Sequence, residues 1–93
     1  MRHRYTSDDL MRMRNQIPIA YLIAEILTLP WKQSEGYFRF LCPDCGEFNT
    51  ATNEKTYLAR CFRCERNFNP IDMVMAVKRC SFLDAAQFLA PLL

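Results

Sequence analysis

The sequence predicts a small α+β domain: a three-stranded antiparallel sheet with a four-cysteine metal site, flanked by N-terminal and C-terminal helices. Three observations carry this expectation. Two Cys-x-x-Cys pairs, Cys42-Pro43-Asp44-Cys45 and Cys61-Phe62-Arg63-Cys64, stand fifteen residues apart. Short runs rich in aromatic and β-branched residues surround them: Tyr37 to Leu41, Phe48 to Thr52 and Tyr57 to Phe62. Helix-start signals fall outside that region, at Thr6 or Ser7, Pro18, Asn69-Pro70 and Ser81.

The cysteine pairs constrain the chain most. Each can wrap a tight turn so that both sulfurs face one centre, and a hairpin of this length brings the second pair beside the first. Four thiolates at Cys42, Cys45, Cys61 and Cys64 close a tetrahedral shell, which suits one zinc ion in a structural role. Iron in a rubredoxin-like redox site is the alternative, since Cys-Pro-x-Cys-Gly suits it too. The second pair lacks the matching glycine, which favours zinc. Two disulfides, or buried thiols that merely fall in pairs, would explain the residues without metal; the paired spacing and Gly46 weigh against both. Gly46 suits the positive-φ position that closes a metal-binding turn, and Glu65 occupies the equivalent place after Cys64 less comfortably.

The remaining elements follow in order. Residues 1–6 are polar and basic and read as a loose tail, where His3 is expected to be solvated and not to ligate metal. Helices are expected over 7–29. Asp8 and Asp9 in a first turn and Arg12 and Arg14 near the other end suit the helix dipole. Pro18 fits the first turn of a second helix carrying Ile19, Tyr21, Leu22, Ile23, Ile26 and Leu27, largely buried and ended by Pro30. Trp31 to Gly36 reads as a loop with a turn at Glu35-Gly36. The metal ribbon then spans 37–64, with a turn at Asn53-Glu54-Lys55. Over 69–90 helices return: Asn69 caps one that begins at Pro70, and Ser81 with Asp84 opens another. Helical spacing places Met73 and Met75 in a core in preference to an adaptable binding face.

With 51% hydrophobic residues in 93, one modest core is expected, and a metal staple would add to it. No apolar run reaches bilayer length, and Met1-Arg2-His3-Arg4 lacks a signal-peptide pattern, so a reducing cytoplasmic location is expected. The net charge of +2 is mild. Four thiolates around a divalent ion add two negative charges, leaving the loaded protein near neutral. Whole-molecule electrostatics therefore do not recommend sequence-independent nucleic-acid binding, and any such binding must use a local patch.

Four segments carry a family resemblance: Tyr37-Phe38-Arg39-Phe40-Leu41-Cys42-Pro43, Arg60-Cys61-Phe62-Arg63-Cys64, Pro70-Ile71-Asp72-Met73-Val74-Met75 and Ser81-Phe82-Leu83-Asp84-Ala85. From Ile17 to the C-terminus the chain resembles the N-terminal zinc-binding domain of bacterial DnaG-type DNA primases. The resemblance implies a zinc ribbon that engages single-stranded template during primer initiation while the chemistry happens elsewhere. Three departures stand out. Cys45 lies where the family commonly has histidine. Glu65-Arg66-Asn67-Phe68 replaces the glycines after the last ligand. The primase catalytic domain, with its acidic metal-binding residues, is not expected in a chain of this length.

Catalysis by the chain itself is not expected. A thiol nucleophile needs a positioned base, His3 is the only imidazole, and the acids form no recognisable pair. Cys80 matches an apolar family position and reads as a buried thiol. The expected activity is single-stranded DNA binding by Arg39, Arg60, Arg63, Lys55, Tyr37 and Phe62. Cations would pair with phosphates there while aromatic faces stack on bases. Tyr37 and Arg39 share one strand face, and Arg60 and Phe62 share another. Periodicity alone favours packed aromatics and solvated arginines; the resemblance implies template contact for Arg39 and Arg60 and gives no such support to Arg66. The expected partners are DNA and a separate primase catalytic subunit or helicase, with no membrane and no small-molecule substrate. The competing expectation is a ribbon that docks on a replication or transcription protein.

Overall fold

The structure, a computed structural model, describes residues 5–93, so the expectation for His3 lies outside the described residues. The loose tail does not extend to residues 5 and 6, because Tyr5 packs against the core and Thr6 caps a helix. Helix α1 spans Ser7–Asn15. Thr6 Oγ1 accepts from the Asp9 N–H at 3.0 Å, and the Asp9 carboxylate accepts from the Thr6 N–H at 3.0 Å. This reciprocal pair satisfies two of the donors that a helix start leaves over.

Helix α2, Ile19–Tyr21, runs straight into a π-helical turn, Leu22–Ile26. The widened turn closes through the Leu27 N–H to the Leu22 carbonyl at 2.8 Å. Pro18 is extended and caps the helix from outside, where the first turn was expected. Ile19, Leu22 and Ile23 are buried, but Tyr21 is 52% exposed, so this segment buries one face and not most of its surface. It ends before Pro30. Thr28 turns left-handed at φ 52°, and the Leu29 N–H reaches back to the Ile23 carbonyl at 3.0 Å.

The expected loop after Pro30 is instead a strand, β1, Trp31–Ser34, paired antiparallel with β2, Tyr37–Phe40. Glu35 and Gly36 form the two-residue turn between them, with φ of 55° and 81°, the backbone that matches hairpin twist. Nothing in Trp31-Lys32-Gln33-Ser34 alternates, because three of the four residues are exposed. Pairing without burial leaves no periodic trace in sequence. Trp31 stacks on Phe38 with ring centroids 5.1 Å apart.

A three-stranded antiparallel sheet follows, as expected in kind but not in membership. Its strands are β3, Thr50–Asn53, β4, Leu58–Cys61, and β5, Arg66–Phe68, in that order. The strand expected from Tyr37 belongs to the separate hairpin, and Arg66-Asn67-Phe68 takes the third place. Side chains join β2 to β3 where a ladder would otherwise run. Thr50 Oγ1 accepts from the Phe40 N–H at 2.8 Å and donates to the Phe40 carbonyl at 2.7 Å. Arg39 Nη1 donates to the Thr50 carbonyl at 2.8 Å. Strand β3 starts at Thr50 and not at Phe48, since residues 46–49 return the chain from the first metal turn. Strand β4 starts at Leu58, because Tyr57 closes the preceding turn at φ 55°. That turn is held by Asn53 Oδ1, which accepts from the Lys55 and Thr56 N–H groups at 2.9 and 3.3 Å.

Helix α3, Pro70–Lys78, has its reciprocal cap between Asn69 and Asp72 at 2.8 and 3.1 Å. Helix α4, Phe82–Leu89, begins with Ser81 Oγ accepting from the Asp84 N–H at 3.1 Å and ends in a 3₁₀ turn, Ala90–Leu92. Met13, Ile23, Phe40, Phe68, Met73, Val74 and Leu89 are all fully buried in one continuous core. The helices therefore cover one side of the ribbon, and Met73 is core as its spacing indicated. Cys80 is only partly buried, with Sγ 3.9 Å from the Val74 carbonyl. No helix of the described residues is long and apolar enough to cross a membrane.

Candidate metal centre and binding face

The four cysteines converge on one point from two turns. In the first, Cys42 to Gly46, the Gly46 N–H returns to the Cys42 carbonyl at 2.9 Å, and the Asp44 N–H points at Cys42 Sγ at 3.4 Å. Gly46 has φ 73°, as its place in the sequence requires. In the second, the Cys64 N–H points at Cys61 Sγ at 3.4 Å, and Glu65 takes the left-handed position at φ 54°. N–H groups aimed at sulfur stabilise negative thiolates and orient them.

All four sulfurs lie within 4.8 Å of one another. Cys45 and Cys61 Sγ are 3.7 Å apart, and Cys42 and Cys64 Sγ are 4.0 Å apart. A disulfide needs about 2.05 Å, so the sulfurs are not bonded. A tetrahedron with metal–sulfur bonds of ~2.3 Å has sulfurs about 3.8 Å apart, which fits these distances. The four thiols also shift one another's ionisation. Burial pushes the Cys42 thiol up. Desolvation and hydrogen bonds to Cys45, Cys61 and Cys42 push Cys64 up to about 12. Burial opposes ionisation of Cys61 too, but the Cys64 N–H and the neighbouring thiols pull it down. The sulfurs compete for negative charge, and a divalent ion at the centre would let all four ionise.

Two ion pairs span the turns. Arg66 Nη1 meets Asp44 Oδ2 at 2.6 Å, and Arg63 Nη1 meets Glu47 Oε1 at 3.5 Å. Arg63, expected on the nucleic-acid face, lies in the second cysteine turn with its side chain 64% exposed. Arg39 is also committed. Its side chain is 16% exposed, bonded to Thr50, 3.8 Å from the Glu35 carboxylate and 5.3 Å from the Tyr37 ring centroid.

Three expected binding residues do come together. Tyr37, Arg60 and Phe62 line a groove of about 300 Å³ on the sheet, with Leu58 and Asn67. Arg60 lies 5.7 Å from the Phe62 ring centroid, and its Nη1 donates to Asn67 Oδ1 at 3.1 Å. Tyr37 and Phe62 are each about half exposed, at 52% and 48%. Lys55 lies apart, lining a neighbouring cleft with Gln33 and Phe38. Asn67 was missed because β5 was missed: in the sequence it is one polar residue in a run with no alternation. It sits opposite Arg60 in the β4–β5 register.

Residues 5–93 match the family model described as the CHC2 zinc finger, the DnaG zinc ribbon. No curated protein matches the chain.

Proposed function

This chain belongs to the CHC2 zinc-finger family, the DnaG zinc ribbon, and from that membership we propose that it holds one zinc ion and binds single-stranded DNA. Cys42, Cys45, Cys61 and Cys64 would hold the ion, which supplies a rigid tetrahedral crosslink and no open coordination position. Cys45 standing where the family commonly has histidine keeps the shell complete and makes it more negative. The module would contribute template contact to DNA replication in the cytoplasm, with nucleotide joining left to a separate catalytic subunit or helped by a helicase.

The observation that carries the reading is the groove between Tyr37 and Phe62. Two half-exposed rings flank a guanidinium on the sheet, an arrangement that suits stacking on unpaired bases beside a phosphate contact. Arg60 and Phe62 are its centre. Arg39 would act chiefly by holding Tyr37 in place, since its Nη1 is bonded to the Thr50 carbonyl and its guanidinium lies over the Tyr37 ring.

Fluorescence anisotropy of metal-replete protein with labelled single-stranded DNA at two salt concentrations tests the reading. Binding should weaken with salt, and Arg60→Ala should reduce it and flatten the salt dependence. Phe62→Ala should cost about 1–3 kcal/mol of binding free energy if a base stacks on the ring. Absence of binding at low salt would sink the proposal. It would favour the second reading, a protein-docking ribbon, to which the ion-paired state of Arg39, Arg63 and Arg66 lends support.

A further inference from the structure

A second hollow of the described ribbon lies beside the groove, not in it. It holds about 560 Å³ between the β1–β2 hairpin and the β3–β4 turn, lined by Gln33, Phe38, Thr52, Asn53, Glu54 and Lys55. Tyr37, Thr52 and Asn53 line both hollows, so the two meet at the Tyr37 ring. Neither strand pairing nor metal binding requires this cleft. It exists because β1 and β2 stand apart from the three-stranded sheet and touch it through Thr50 and Arg39.

The chemistry of the cleft differs from that of the groove. Glu54 and Lys55 together bring no net charge, so a phosphate gains little there. Asn53 Oδ1 is occupied by the Lys55 and Thr56 N–H groups. Phe38 is stacked on Trp31. Gln33 is exposed, and its side-chain amide has no hydrogen-bond partner among the described residues. An amide carries both donors and an acceptor, as the edges of neutral bases do. Arg39 lies over the Tyr37 ring, which sets the orientation of the ring that divides the two hollows.

We propose that this hairpin cleft is a second nucleotide compartment, continuous with the Arg60–Phe62 groove, in which Gln33 hydrogen-bonds a base edge of a strand that passes over Tyr37. The inference rests on the reading of the chain as a single-strand binder and adds the path of the strand. The groove takes two bases, against Tyr37 and Phe62, with their linking phosphate at Arg60; the cleft takes the next base of the strand.

The test is nuclear magnetic resonance titration of isotope-labelled, metal-replete protein with two probes, a thymidine dinucleotide and a thymidine octanucleotide. Amide signals of Arg60, Phe62 and Asn67 should shift with both. Those of Gln33, Gly36 and Lys55 should shift with the octanucleotide alone. Gln33→Glu, which sets a carboxylate against the strand, should weaken octanucleotide binding by about tenfold and leave the dinucleotide unchanged. Groove signals that shift with both probes while the hairpin stays still, or equal octanucleotide affinity in Gln33→Glu, would overturn the second compartment and leave the first reading standing. No shifts with either probe would overturn both. Gln33 is exposed and outside the core, so the variant is expected to fold, and its unchanged dinucleotide titration verifies that.

Discussion

In the first metal turn the positive φ after the second cysteine falls to Gly46, at 73°; in the second it falls to Glu65, at 54°. Glycine adopts that backbone freely, whereas a residue with a Cβ is strained there by roughly 1–2 kcal/mol. The turns also differ in charge. Asp44 lies in the first and Glu47 just after it, Arg63 lies in the second and Arg66 just after it at the start of β5, and they pair across the site. One turn is relaxed and acidic, the other strained and basic. The comparison shows that the sulfur geometry does not demand one backbone chemistry. A strained turn is tolerated where converging sulfurs and cross-turn ion pairs tie it to the rest of the site.

The strongest way to break the comparison is to take away what both turns share. Chelation of the metal should unfold the ribbon, since apparent binding energies of structural zinc reach roughly 10–16 kcal/mol at neutral pH. Circular dichroism and thermal melts before and after verified metal removal check this; unchanged stability would defeat it.

Next in size, Gly46→Ala should lower the melting temperature of the metal-replete protein, by a stability loss of about 1–2 kcal/mol. A Cβ at Gly46 meets nothing within 4 Å, so the loss would measure backbone strain alone. The reverse change in the other turn, Glu65→Gly, should raise stability, by less than ~1 kcal/mol because glycine also loosens the unfolded chain. Opposite signs sharpen the contrast; equal signs would erase it. The smallest effect belongs to the cross-turn pairs. A double-mutant cycle on Asp44→Ala and Arg66→Ala should give a coupling of about 0.2–1 kcal/mol that declines with salt, as for exposed pairs in general.

Much of the architecture was legible because it is local. The capping residues Thr6, Asn69 and Ser81, the helix-opening Pro70, the turn at Glu35-Gly36 and the conformation of Gly46 all depend on atoms within a few residues. The convergence of the four cysteines was legible for a related reason: the spacing within each pair is set by a single turn. Strand β1 was not legible, because it pairs without burying a face. Of the residues expected to bind nucleic acid, Tyr37, Arg60 and Phe62 line one groove, Arg63 stands exposed beside the second cysteine turn, and Arg39 donates to the Thr50 carbonyl.

The sequence by itself determined a small helix-flanked ribbon and the convergence of its four sulfurs, since those follow from short-range spacing and local backbone preference. Which strands share a sheet was decided only in the tertiary structure. There the Thr50 hydroxyl stands between β2 and β3 and satisfies both backbone groups of Phe40, splitting one expected sheet into a hairpin and a three-stranded unit. That split opens the cleft beside Tyr37. A hydrogen bond between residues ten apart in the chain has no periodicity to announce it, and the shape of the surface follows from that bond.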